Sequence, residues 1–142
     1  AGAPVSNMTS AYGGIRWGSG LARAFQYEMG QSRLRGSLWD DRPDYIENSP
    51  LFYADRVETP LVIMHGDEDG AVPWYQSIEL YVALRRLGKD AVFLQYRGEP
   101  HHPQEYGNKL DYSLKMKAFF DHHLKGSPAP EWWSVGVPYS GK

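Results

Sequence analysis

The sequence has 142 residues, a formal net charge of −2 and no cysteine. That length suits one domain or a piece of one, and the charge gives no electrostatic footprint for nucleic acid or an anionic membrane. No apolar run is long enough to span a bilayer; disulfide and thiolate chemistry are excluded, and compartment is left open.

The chain opens on Ala1 rather than Met, among small apolar residues, and reads as cut at that point. Ala1–Val5 fits the tail of a strand, with Ser6-Asn7 as the following turn. Met8–Gly20 is rich in glycine and aromatics and reads as a loop. Leu21–Met29 suits a short helix stopped by Gly30, and Gln31–Trp39 shows no period. Arg42-Pro43 is a helix entry, which predicts a short helix over Pro43–Asn48. Ser49-Pro50 starts another short helical stretch, with Ser49 as its N-cap.

Leu61-Val62-Ile63-Met64 is a continuous apolar run between Pro60 and Gly66, the signature of a strand buried on both faces. Tyr75–Leu87 places Leu80, Leu84 and Leu87 on one helical face, with Gly88 as its stop. Ala91–Tyr96 is a second buried strand, and Arg97–Gln104 a loop holding His101 and His102. Lys109–Leu124 is a long helix with Tyr112, Met116, Phe119 and Phe120 on one face, closed by Gly126. The tail from Ser127 carries Pro128, Pro130, Trp132, Trp133 and Pro138. It reads as an extended strap whose tryptophans cover apolar surface. Strand and helix alternate at a spacing that predicts βαβ crossovers and a parallel sheet.

Ligands in such sheets bind beyond the carboxyl ends of the strands. The first strand runs there into Asp67, Glu68 and Asp69, and the next into His101 and His102. The two loops are neighbours, so one of the three acids can meet one of the two histidines. A carboxylate bonded to one imidazole nitrogen leaves the other free to move a proton. Acid followed by histidine is the order in α/β-hydrolases, where the serine comes first.

The stretch from Ser49 to Pro103 resembles the C-terminal part of the catalytic domain of the prolyl oligopeptidase family of serine peptidases. The carrying signals are His65-Gly66-x-x-Asp69, Val72-Pro73, the helix LYVALRRLGK, the strand FLQY and the loop Gly98-Glu99-Pro100-His101. AGAPVSN at the start and NKLDYSLKMKAFFDHHLKG near the end are similar to family segments as well. The fold implied is a partial α/β-hydrolase: the last two to three parallel strands with flanking helices, over residues 1–126, with 127–142 as a tail.

The resemblance implies a catalytic Asp69 and a catalytic His101; His102 stands where the family often has glycine. It also suggests Tyr12 and Trp17 as pocket residues, and Val72 beside the acid. The nucleophile elbow G-x-S-x-G is absent, and Gly18-Ser19-Gly20 has the wrong spacing. The expectation is a fragment of a serine hydrolase, most simply a peptidase acting on short peptides, whose serine lies upstream. An esterase or acyl-peptide hydrolase on the same scaffold is the second reading, and an inactive self-associating fragment the third. The isolated chain is expected to be inactive. The expected partners are a peptide substrate and either the missing N-terminal part or another copy at the open sheet edge.

No cofactor is expected. The pairs His101-His102 and His122-His123 do not have metal-ligand spacing, so no metal is expected either. Asp67 and Glu68 read as solvated turn acids, and His65 as a hydrogen-bonded structural histidine.

Overall fold

A computed structural model describes residues 1–136. Its centre is a βαβ unit: β3 (Leu61–Gly66), α4 (Tyr75–Arg86) and β4 (Ala91–Tyr96), the strands parallel and paired from Leu61↔Ala91 to Gly66↔Tyr96. Both strands lie where the apolar runs put them. Ala1–Ala3 flanks the other edge of β3. The Ala3 N–H donates to the Met64 carbonyl (2.8 Å) and the Met64 N–H to that of Ala1 (2.9 Å). The expected strand tail is therefore seated on the sheet.

Alternation along β3 divides the core. Ile63 joins Leu80 and Leu84 of α4, Ala54 and Ala91 on one face; Val62 and Met64 join Leu94, Tyr96 and Phe119 on the other. Phe119 comes from α5 (Tyr106–Lys125), which closes on Gly126 in the left-handed conformation (φ 71°). Truncating fully buried Ile63 to alanine would cost about 2–5 kcal/mol.

Three readings of the N-terminal segment are corrected. Met8–Gly20 is not a loop: Asn7 caps a short helix α1 (Met8–Tyr12) by accepting from the Thr9 and Ser10 N–H groups. A hairpin then follows, β1 (Ile15–Arg16) against β2 (Leu21–Ala22). The next helix, α2 (Ala24–Glu28), is correspondingly shorter than Leu21–Met29, and its C-cap is Met29 rather than Gly30. Ser49 holds the expected N-cap position of the 3-10 helix Pro50–Arg56, but its side chain makes no capping bond. Its hydroxyl donates to the Tyr45 carbonyl and accepts from the Met8 N–H, tying α3 (Arg42–Glu47) to α1.

The tail is also corrected. Glu131–Val135 forms a helix, α6, where an extended strap was expected. Its tryptophans do cover apolar surface, with Trp133 stacked on Phe119 (centroids 5.1 Å, planes 14°). Pro138 lies outside the described residues. On α5 Phe119 is buried, whereas Phe120 of the same expected face is exposed. No helix among the described residues is long and apolar enough to cross a membrane.

Candidate active site

β3 and β4 end side by side, and their loops meet. Asp69 is buried and its four acceptor positions are all filled. Oδ1 accepts the N–H groups of Ala71 and Val72 (2.8 Å each), which fixes the turn. Oδ2 accepts from His65 Nε2 (2.9 Å) and His101 Nδ1 (2.7 Å). Burial opposes its charge, yet the bonds from His65, His101, Val72 and Ala71 outweigh burial and hold the carboxyl well below the usual carboxylate range.

The two imidazoles differ. His65 is fully buried; its Nε2 faces both Asp69 and the Val72 carbonyl (3.1 Å) and so carries a hydrogen, while Nδ1 meets the Ser77 hydroxyl (2.6 Å). Both nitrogens are engaged, so His65 orients the carboxylate and moves no proton. The His101 side chain is 38% exposed, and Nδ1 makes its bond to Asp69. Its Nε2 has no protein partner among the described residues. His102 is exposed, stacked obliquely beside His101 at 4.6 Å, and makes no bond to an acid among the described residues. Of the six acid–histidine pairings that the sequence left open, the structure brings together Asp69 and His101.

The loop carrying His101 is pinned by two carboxylates whose part in it the sequence does not announce. Asp67 is not a free solvated acid. Its Oδ1 accepts the Gly98 N–H (2.7 Å) and its Oδ2 the Gln95 amide (3.1 Å), tying the acid turn to β4 and its loop. Glu99 is 1% exposed and caps α5 from six residues ahead of Glu105. It accepts the N–H groups of Gln104 (2.5 Å) and Glu105 (3.1 Å) and the Asn108 amide (2.5 Å). Asn108 first, with those backbone donors and against burial, lowers its pKa. An acid just upstream of a helix start is a readable signal, but the intervening loop conceals which acid. Glu68 remains exposed.

A cavity of about 360 Å³ adjoins His101, with Val5, Met8, Arg16, Tyr27 and Val72 in its wall. Val72 is thus at the cavity. Tyr12 and Trp17 are not: Tyr12 is buried against Tyr27 and Tyr45 with its hydroxyl donating to Glu28 (2.5 Å), and Trp17 is 72% exposed. The hairpin bearing Trp17 nevertheless touches the site, because the Gly18 N–H donates to the Gly70 carbonyl (3.0 Å). The described residues contain no group of three or more side chains suited to hold a metal.

A buried carboxylate and a half-exposed imidazole thus meet at adjacent strand ends. Known proteins resemble this chain in sequence and in fold. An uncharacterized peptidase, YuxL, of Bacillus subtilis is 33% identical over 98 residues, covering 65% of this chain and 14% of its own length. The human acylamino-acid-releasing enzyme is 31% identical over 88 residues, 62% of this chain and 12% of its own. This chain therefore spans about an eighth of the curated relatives it matches. A puromycin-hydrolyzing peptidase of Mycobacterium tuberculosis superposes with a TM-score of 0.73 at 26% identity, over 89% of this chain and 18% of that one. The architecture is a partial α/β-hydrolase fold. Residues 2–127 match the profile of the prolyl oligopeptidase family of serine peptidases, and the chain belongs to that family.

Proposed function

We propose that the chain supplies the acid and the general base of a serine peptidase active site that cleaves short peptides, the serine lying in a more N-terminal part of the protein. The observation that carries this reading is the 2.7 Å bond from His101 Nδ1 to a buried, four-fold hydrogen-bonded Asp69. In the reaction, Nε2 of His101 takes the proton of the attacking serine and returns it to the leaving amine. Asp69 holds the ring in the required tautomer and stabilises the imidazolium. An acyl-peptide hydrolase is the second reading, favoured by the 31% identity to the human acylamino-acid-releasing enzyme.

The rest of the protein is proposed to cover two surfaces: the β3 edge beyond Ala1–Ala3, and the side of α5 that exposes Leu110, Leu114 and Leu124. Self-association through the same edge is the competing occupant. Sedimentation of the isolated chain separates them. A dimer that disperses when the N-terminal part is supplied supports the first, and one that persists supports the second.

A fluorophosphonate probe should label one serine in the complete protein and none in this chain. In the complete protein Asp69→Asn and His101→Ala should each lower kcat by about 10⁴. Loss of activity in His102→Ala, with His101→Ala near wild type, overturns the assignment of the base.

A further inference from the structure

The cavity beside His101 has one guanidinium group in its wall and a second behind Tyr27, and no carboxylate pairs with either among the described residues. Arg16 lines it directly, half-buried on the hairpin strand β1. Its Nη1 reaches the Gln26 side-chain oxygen Oε1 only at 3.5 Å, the limit of hydrogen bonding, and most of its five donors have no acceptor among the described residues. One layer behind, Arg23 is fully buried: Nε and Nη2 both donate to the Tyr27 hydroxyl (3.1 and 2.9 Å), and Nη1 has no partner. Tyr27 lines the cavity, and its own hydroxyl proton has no acceptor among the described residues. Gln26, Gln31 and Ser32 complete the polar side of the wall.

The Asp69 carboxylate does not compensate this wall. Asp69 lies behind Val72 and Ala71 with no exposed side-chain surface, and its four acceptor positions are taken. A buried guanidinium without an anion is costly, and an unpaired arginine at a concave wall concentrates anions there. A carboxylate is the group that matches its planar fork. Arg16 is held in place relative to the acid and the base, because the Gly18–Gly70 bond fastens the hairpin tip to the acid turn two residues away.

We propose that Arg16 is a specificity-determining residue. It makes this cavity a subsite for an anionic side chain, so that the protein cleaves peptides or acyl-peptides carrying glutamate or aspartate at the residue seated there. This rests on the hydrolase reading above. The volume, about 360 Å³, accommodates one such residue.

The test uses the complete protein and a set of fluorogenic substrates differing only at that residue: Glu, Gln, Leu and Lys. The wild type should favour Glu over its isostere Gln by about tenfold or more in kcat/KM, with the ratio falling as salt is added. Arg16→Gln should bring the Glu:Gln ratio near one, and Arg16→Glu should shift preference to Lys. The exposed helix variant Arg86→Gln should keep the wild-type ratio. Equal cleavage of Glu and Gln by the wild type, or a ratio unchanged in Arg16→Gln, overturns the subsite while leaving the hydrolase intact. Failure to cleave any of the four, with no serine labelled by the probe, overturns the hydrolase reading instead.

Discussion

Gly66 is the residue at which the meeting of the two loops can be tested with one methyl group. It ends β3, and the chain of the His101 loop passes directly over it. A Cβ built on Gly66 would lie 2.5 Å from the Pro100 carbonyl oxygen and closer still to that of Glu99. These are backbone atoms, not the ends of flexible side chains. Ordinary contact begins near 3.4 Å, so Gly66→Ala requires the Glu99-Pro100 backbone to retreat by about 1 Å.

Two anchors oppose that retreat: the Glu68 N–H bond to the Glu99 carbonyl (3.1 Å) and the three donors that grip the Glu99 carboxylate. His101 follows immediately. The same displacement would stretch its 2.7 Å bond to Asp69 past 3.5 Å. Misplacement by about 1 Å costs on the order of 10²-fold in rate, and overpacking costs about 1–3 kcal/mol of stability. The measurement is kcat/KM of the complete protein alongside its thermal midpoint, at saturating and limiting substrate. A fall mainly in kcat, with a lower Tm, is expected. Wild-type kcat at wild-type Tm would refute the account of how the histidine loop is seated.

Glu99→Ala should destabilise by about 1–3 kcal/mol, because it strands the Gln104 and Glu105 N–H groups at the start of α5; Glu99→Gln should recover part of that in denaturant titration. For Asp69 the folded pKa lies below its unfolded value, so its stabilisation is complete above about pH 4 and is lost as pH falls from there. The gap in thermal midpoint between wild type and Asp69→Asn should therefore narrow on acidification below about pH 4, and a constant gap down to strong acid would contradict it. Trp133→Ala should cost about 2 kcal/mol and expose Phe119, read by tryptophan fluorescence and urea midpoint.

The parts of the molecule that were readable in advance are those whose residues carry their own signal. Leu61–Met64 and Ala91–Tyr96 are continuous apolar runs, a pattern imposed by burial on both faces of a parallel sheet. α4 shows its leucine period and stops at Gly88, whose φ of 68° suits glycine. The hairpin β1–β2 carries no such mark: each strand has two residues, Leu21 and Ala22 are exposed, and its tip is held by a single backbone bond to Gly70. α1 did leave a signal, Asn7 before three polar or apolar helix positions, but five residues fall below the length at which periodicity can be counted. α5 starts at Tyr106, three residues before its sequence-predicted start, and Glu99 reaches across a loop to the Gln104 and Glu105 N–H groups just ahead of it and to the Asn108 amide.

The site divides along the same line. The meeting of Asp69 with His101 was legible because chain order and strand ends constrain the two loops together. Everything that makes Asp69 a fixed, ionised acceptor was not. His65 reaches it from the strand four residues earlier, Ser77 holds His65 from the far side, and the Ala71 and Val72 N–H groups close the turn. A carboxylate with one imidazole could rotate or protonate; one with four donors can do neither without losing bonds. The orientation of Asp69 is therefore a property of β3 and its turn as a unit, braced by Ser77 of α4. It follows that Ser77→Ala should loosen His101 without touching it. His65 would lose its Nδ1 partner and the Asp69 carboxylate part of its orientation, so kcat should fall by roughly tenfold while KM stays unchanged. A rise in KM at constant kcat would instead mean that the loss of Ser77 acts on substrate binding and not through Asp69 and His101.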